Sequence, residues 1–152
     1  MMNYKVILLK DKDIDIQQLV DELKSSVKNE ECGAIVLFIG VVKGLVKGEK
    51  VKYLEYEAYE ERAIKELERI AREICSRDGV YGVRIYHKIS KVKPGENIVY
   101  IAVAGRGRDD AFSCAWEIID RVKHEVPIWK KEVRETGSYW IIGEDKRIEA
   151  KF

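Results

Sequence analysis

Hydrophobic positions along the chain change period several times, and each change marks an element. Tyr4-Lys5-Val6-Ile7-Leu8-Leu9 is an aliphatic run of strand length. Behind an Asp-rich start that suits a helix N-terminus, Ile16, Leu19, Val20, Leu23 and Val27 then recur at helical spacing. Residues 32–42 are β-branched and aromatic, and residues 51–59 alternate with period two, which predicts two strands. The Lys/Gly segment 43–50 between them reads as a mobile loop or a solvated hairpin. Ala63, Ile64, Leu67, Ile70, Ala71 and Ile74 share one face of a helix over 60–78 that closes at Asp78-Gly79. Strands over 83–89 and 97–103 flank Pro94-Gly95, whose turn chemistry predicts an antiparallel pair. Asp109 is placed to cap a third helix running to about Glu125, and residues 129–134 and 139–142 bracket Thr136-Gly137-Ser138 as another hairpin. Helices mixed with hairpin-joined strands predict an α+β fold in one domain spanning 1–152, with 144–152 a charged surface tail.

The end of the third helix carries the most chemistry. Phe112, Trp116, Ile119 and Lys123 are four, three and four residues apart, so Lys123 continues an apolar stripe. Val126 precedes Pro127 and is pushed out of helical dihedrals, and Ile128-Trp129 is expected to pin the returning chain against the core. Lys123 and Lys130 are then expected to face one pocket. The residues alone leave two readings of Lys123: a stem laid along the core edge with its ammonium in water, or half of a working pair. A second ammonium ~7–8 Å away costs about 2 kcal/mol at an effective dielectric near ~20, and desolvation by Trp116 and Trp129 pushes the same way. A lysine so perturbed serves as a neutral base or nucleophile, and one left cationic holds a carboxyl, thiocarboxyl or phosphate group.

Composition narrows the classes. With 46% hydrophobic and 36% charged residues at net +1 over 152 positions, nothing suggests a strong grip on nucleic acid. The longest uncharged apolar run, 33–42, is far short of the ~20 residues of a membrane helix. The start lacks a signal peptide's apolar core, so a soluble, cytoplasmic protein is expected. Cys32, Cys75 and Cys114 form no CxxC pair and read as core packing; neither a disulfide scaffold nor a metal site is expected. His87 and His124 read as packed or surface residues, and Glu55 and Glu57 as solvated carboxylates on one strand face. Any anion site must therefore be local. Gly105-Arg106-Gly107-Arg108, between a strand and a helix start, supplies free amides and two guanidinium forks, or is a turn whose arginines pair with surface carboxylates. It matches neither nucleotide-binding fingerprint. Lys43, opening the 43–50 segment, is placed to fold over an anion.

Five segments in this order and spacing closely resemble the large, catalytic subunit of molybdopterin synthase: Phe38-Ile39-Gly40-Val41-Val42-Lys43, Leu54-Glu55-Tyr56-Glu57-Ala58-Tyr59, His87-Lys88-Ile89, Arg108-Asp109-Asp110-Ala111-Phe112, and Lys123-x3-Pro127-x-Trp129-Lys130-Lys131-Glu132. The resemblance covers roughly residues 33–140. It implies an α/β-hammerhead type of α+β fold with an additional antiparallel β subdomain, and a homodimer within a heterotetramer. The other subunit would be a small ubiquitin-like sulfur carrier, whose C-terminal Gly-Gly thiocarboxylate enters the pocket. Two sulfurs would pass to cyclic pyranopterin monophosphate, making the molybdopterin dithiolene, with no cofactor, metal or cysteine of this chain required. Residue by residue, Lys123 and Lys130 match the family's essential lysines: Lys130 would handle the thiocarboxylate, and Lys123 proton transfer or intermediate stabilisation. Lys131 and Glu132 fall in the substrate-contacting segment, Phe38 matches a pocket-wall aromatic, and Arg108 an anion-binding arginine offered across the dimer interface. Gly107 stands where the family commonly has His, losing a donor unless Arg106 replaces it, and Lys43 stands where Arg is common, losing a bidentate fork. The rival expectation is a non-catalytic dimeric module binding a phosphorylated metabolite or a ubiquitin-like partner.

Overall fold

A computed structural model describes residues 2–142 and 146–150. In chain order the elements are β1 (Tyr4–Leu9), α1 (Ile16–Ser26), β2 (Ala34–Val41), β3 (Leu45–Val46), β4 (Glu49–Ala58), α2 (Glu60–Cys75), β5 (Val80–Lys88), β6 (Lys91–Val92), β7 (Asn97–Gly105), α3 (Arg108–Glu125), β8 (Ile128–Arg134), β9 (Gly137–Ile142) and β10 (Lys146–Glu149). The mixture is the α+β class that the pattern predicts.

One sheet has the order β1-β5-β7-β2, with β1 parallel to β5 and the other neighbours antiparallel. Its central strands β5 and β7 are buried on both faces, its edge strands β1 and β2 partly so, and period two sorts the side chains. Val83, Ile85, Ile101 and Val103 meet Leu67, Ile70 and Ile74 of α2 and Ile118 of α3, while Tyr86, Tyr100, Ala102 and Ala104 meet Leu19 and Leu23 of α1 on the other side. Asp15 caps α1 by accepting from the Gln18 N–H at 3.1 Å. The second sheet has the order β10-β9-β8-β4-β3, with β6 also on β4, and it encloses a smaller cluster of Val42, Val51, Leu54, Tyr56 and Val92. The Pro94-Gly95 turn yields the expected antiparallel β5–β7 pair. The β6 segment inside that connection ties one sheet to the other. No helix among the described residues is long and apolar enough to cross a membrane.

Several expectations need correction. Helix α2 stops at Cys75, three residues early, because the chain turns at Ser76 and reaches Gly79 with φ 84°, a left-handed value glycine adopts without strain. Asp109 does not cap α3: Gly107 holds that position without a side-chain bond, and Asp109 and Asp110 sit in the first turn, where the helix dipole favours them. The aromatic stripe of α3 faces outward. Phe112 is 64% and Trp116 73% exposed, whereas Ala111, Cys114, Ala115, Ile118 and Val122 face the core, the alanines letting helix and sheet approach closely. Segment 43–50 is a hairpin, with Lys47 and Gly48 at φ 49° and 81° turning β3 into β4, as a two-residue hairpin requires. Of the expected tail, Lys146–Glu149 is a strand paired antiparallel with β9; residues 144, 145, 151 and 152 lie outside the described residues. The cysteines pack as expected, Cys75 and Cys114 in the core and Cys32 against its second cluster.

Candidate active site

Helix α3 ends where Pro127 requires, with Val126 extended at φ −93°, ψ 132°. The reversal is held by the Ile128 N–H donating to the Val126 carbonyl at 2.8 Å and the Tyr59 N–H donating to the Pro127 carbonyl at 3.3 Å. Ile128 packs between two core clusters as expected, but Trp129 is 52% exposed and does not pin the chain. Strand β8 then lies between β4 and β9, setting Lys130 opposite Tyr56 on one side and Ile141 on the other.

Lys123, from the last turn of α3, and Lys130, from β8, line one cavity of about 720 Å³. Lys43 joins them from the end of β2, and Glu132 from β8. The remaining wall brings residues that pattern reading passed over: Lys47, Glu49, Tyr56, Arg134 and Arg147. Arg147 comes from the segment read as a tail. Burial pushes the Lys130 amine below the ordinary lysine range; Glu132 opposes the shift, and the charges of Lys123 and Lys43 reinforce it. The second ammonium acts as expected, but desolvation is the larger cause, and the exposed Trp116 and Trp129 are not its natural source. Buried Tyr56 and His87 are, their rings meeting edge to face with centroids 5.3 Å apart.

Other expected site residues lie elsewhere. Lys131 points to the opposite face of β8, pairs with Glu55 at 2.9 Å and lies over the Trp140 ring at 5.6 Å, so Glu55 is engaged rather than simply solvated. Phe38 packs against the core between sheet and helices and does not line this cavity. Arg106, Gly107 and Arg108 sit at the opposite end of α3, with Arg106 held by Asp78 at 2.9 Å and Glu31 at 3.7 Å. At ~1.5 Å per residue, Arg108 and Lys123 are about 22 Å apart along the helix axis. Arg108 thus belongs to no cavity that Lys123 lines in the same chain. His124 is a surface residue ion-paired with Asp120 when protonated, as expected.

His87 is buried behind Lys130, its Nδ1 2.7 Å from the Lys88 carbonyl. Burial drives it down from 6.5 to about 4, the Lys88 hydrogen bond opposing and the Lys130 charge adding to the effect. The unfolded chain therefore takes a proton first. Its neutral fit is fully kept above 6.5, is lost progressively as pH falls, and by pH 4 has cost about 3 kcal/mol. Denaturant unfolding at both ends of that window is expected to show a smaller acid loss in His87→Leu than in the wild type; equal losses would refute the assignment.

Six cations and two carboxylates thus line one cleft of an α+β protein, and burial holds one of the amines below its ordinary range. The model of the MoaE protein family matches residues 9–125. The molybdopterin synthase catalytic subunit of Pyrococcus abyssi is 41% identical over 133 residues, covering 87% of this chain and 88% of that protein. The crystal structure of molybdopterin synthase from Staphylococcus aureus superposes with a TM-score of 0.77 at 38% identity, covering 90% of this chain and 95% of that one. A complex of subunits 1 and 2 of molybdopterin-converting factor from Helicobacter pylori shares the fold, with a TM-score of 0.68 at 22% identity. This chain belongs to the molybdopterin synthase catalytic subunit family, and so to a family of enzymes.

Proposed function

We propose that this chain works as the sulfur-transferring subunit of a cytoplasmic molybdopterin synthase. Sulfur from the thiocarboxylated Gly-Gly terminus of a small ubiquitin-like carrier passes to cyclic pyranopterin monophosphate, forming the dithiolene. The convergence of Lys123 and the desolvated Lys130 on one cleft carries the reading. A thiocarboxylate and a phosphorylated pterin are both anions, and the cleft has cations for each. Lys130 handles the thiocarboxylate, Lys123 moves a proton or stabilises the intermediate, and Lys43 and Glu132 contact substrate. The Helicobacter pylori structure of the same fold is a two-subunit complex, which fits such a partnership.

The outward Phe112–Trp116 face of α3 suits pairing with a second copy. Such a dimer would carry Arg108, with Gly107 and Arg106 beside it, toward the other copy's cleft, the only use the separation along α3 leaves for them at the substrate. Phe38 and Lys131 keep supporting roles, as a contact of the core between sheet and helices and as the ion pair that fixes β8 on β4. Purified protein mixed with thiocarboxylated carrier and pterin precursor is expected to yield the dithiolene product, followed by mass spectrometry. Carrier binding without sulfur transfer would overturn the catalytic reading in favour of a binding module.

A further inference from the structure

Along β8, Lys130, Glu132 and Arg134 are two residues apart and project from one face into the cleft: cation, anion, cation. Glu132 and Arg134 are each 5% exposed. Arg134 donates from both Nε and Nη2 to Glu132 Oε2, and from Nη1 to Glu49 Oε2, an oxygen that also accepts from Arg147 Nη1 at 3.1 Å. Both carboxylates of the cleft are thus engaged by one guanidinium.

We propose that Arg134 is a positioning residue for Lys130: by gripping Glu132 it keeps that carboxylate from becoming Lys130's counter-ion and leaves the Lys130 amino group open to the substrate. The use made of the amine rests on the sulfur-transfer reading; the electrostatic arrangement does not. A lysine two positions from a buried carboxylate would ordinarily settle into an ion pair with it. Arg134 competes with an always-charged, planar fork that satisfies the carboxylate better than an ammonium does. The other charged groups reinforce the outcome. Lys123 from α3 and Lys43 from the end of β2 repel a charge on Lys130, and His87 behind it from β5 is also near enough to interact. Tyr56 of β4 is buried against the site with its hydroxyl raised well above the usual phenol range by burial, so it offers no compensating anion. At the mouth, Lys47 adds positive charge, and Arg147 shares Glu49 with Arg134.

Trace acetylation with acetic anhydride from about pH 6 to about pH 11, read at the Lys130 peptide by mass spectrometry, reports the amine's titration without substrate or carrier. Replacing Arg134→Met is expected to move that titration up by about one pH unit and slow acetylation near pH 8 about tenfold. Arg134→Lys, which keeps a charge on Glu132, is expected to restore most of the reactivity. Circular dichroism checks that each variant is folded. Should Arg134→Met fail to fold, the double variant Glu49→Gln/Arg134→Gln removes an opposite pair, leaves Glu132 a neutral donor, and is expected to show the same upward shift. An unmoved Lys130 titration in a folded variant overturns the proposal. Sulfur transfer assayed over the same pH range separates the two readings. If the amine titrates as expected but no variant transfers sulfur, the functional reading fails alone; if transfer is robust and the titration does not move, this inference fails alone.

Discussion

Replacing Lys130→Ala is expected to abolish sulfur transfer, by roughly 10³-fold or more, the order contributed by a positioned proton-transfer or nucleophilic group. The fold is expected to survive unharmed. Burial holds the Lys130 amine below its ordinary range, so in the protonated state the folded chain carries a penalty the unfolded chain does not. That penalty is present at neutral pH and vanishes once pH rises above the unfolded lysine value, near ~10.4. Lys130→Met is therefore expected to melt at an equal or higher temperature than the wild type at pH near 7, the gain shrinking toward pH near 10.5. The substitution also leaves Glu132 with its Arg134 partner, so no buried carboxylate is orphaned. Product formation and differential scanning fluorimetry on the same preparation check both halves. Unchanged turnover by Lys130→Ala would count decisively against the proposed mechanism.

The second large effect is complementation between two inactive variants. If Arg108 serves the cleft of a partner copy, Arg108→Ala and Lys130→Ala homodimers are both expected to be inactive. Mixed dimers put both lesions in one cleft and leave the other intact. Random exchange of subunits makes half the dimers mixed, each with one working site, so activity is expected to return to about a quarter of wild type in a two-fold assembly. The measurement is transfer activity after mixing at concentrations that allow subunit exchange. No recovery, with exchange verified by mass spectrometry of tagged copies, would show that Arg108 does not act across the interface. If the copies pair through the outward face of α3, Phe112→Asp in both is expected to abolish the recovery by placing a charge there.

The elements legible in the sequence are those whose signal is local. Tyr4–Leu9 and Ala34–Val41 carry aliphatic and β-branched runs, α2 repeats its apolar face through four turns, and Pro127 stops α3 because its ring forbids continuation whatever the surroundings. The facing of α3 was not legible. Its largest apolar side chains, Phe112 and Trp116, dominate any reading of the stripe, yet the close-packed side needs small residues, Ala111 and Ala115. Strands β3, β6 and β10 are two to four residues long and exist because β4 and β9 offer edges to pair with, which no short window records. The stripe through Phe112 and Trp116 pointed outward and was no guide; the lysine pair was legible because Pro127 ends α3 between the two lysines and turns the chain back. Arg134 and Arg147 were not, since charges near the end of a chain read as solvated. The alternation Lys130, Glu132, Arg134 did hold a usable signal, since it places all three on one strand face.

The Glu132–Arg134 pair also constrains how this chain can vary. At 5% exposure for each partner, losing either alone forces the other to re-pair, Arg134 onto Glu49 alone or Glu132 onto Lys130, whereas exchanging both together need not. Tolerance at the two positions is therefore coupled, so that a saturation library is expected to score the paired exchange as milder than the sum of its single changes.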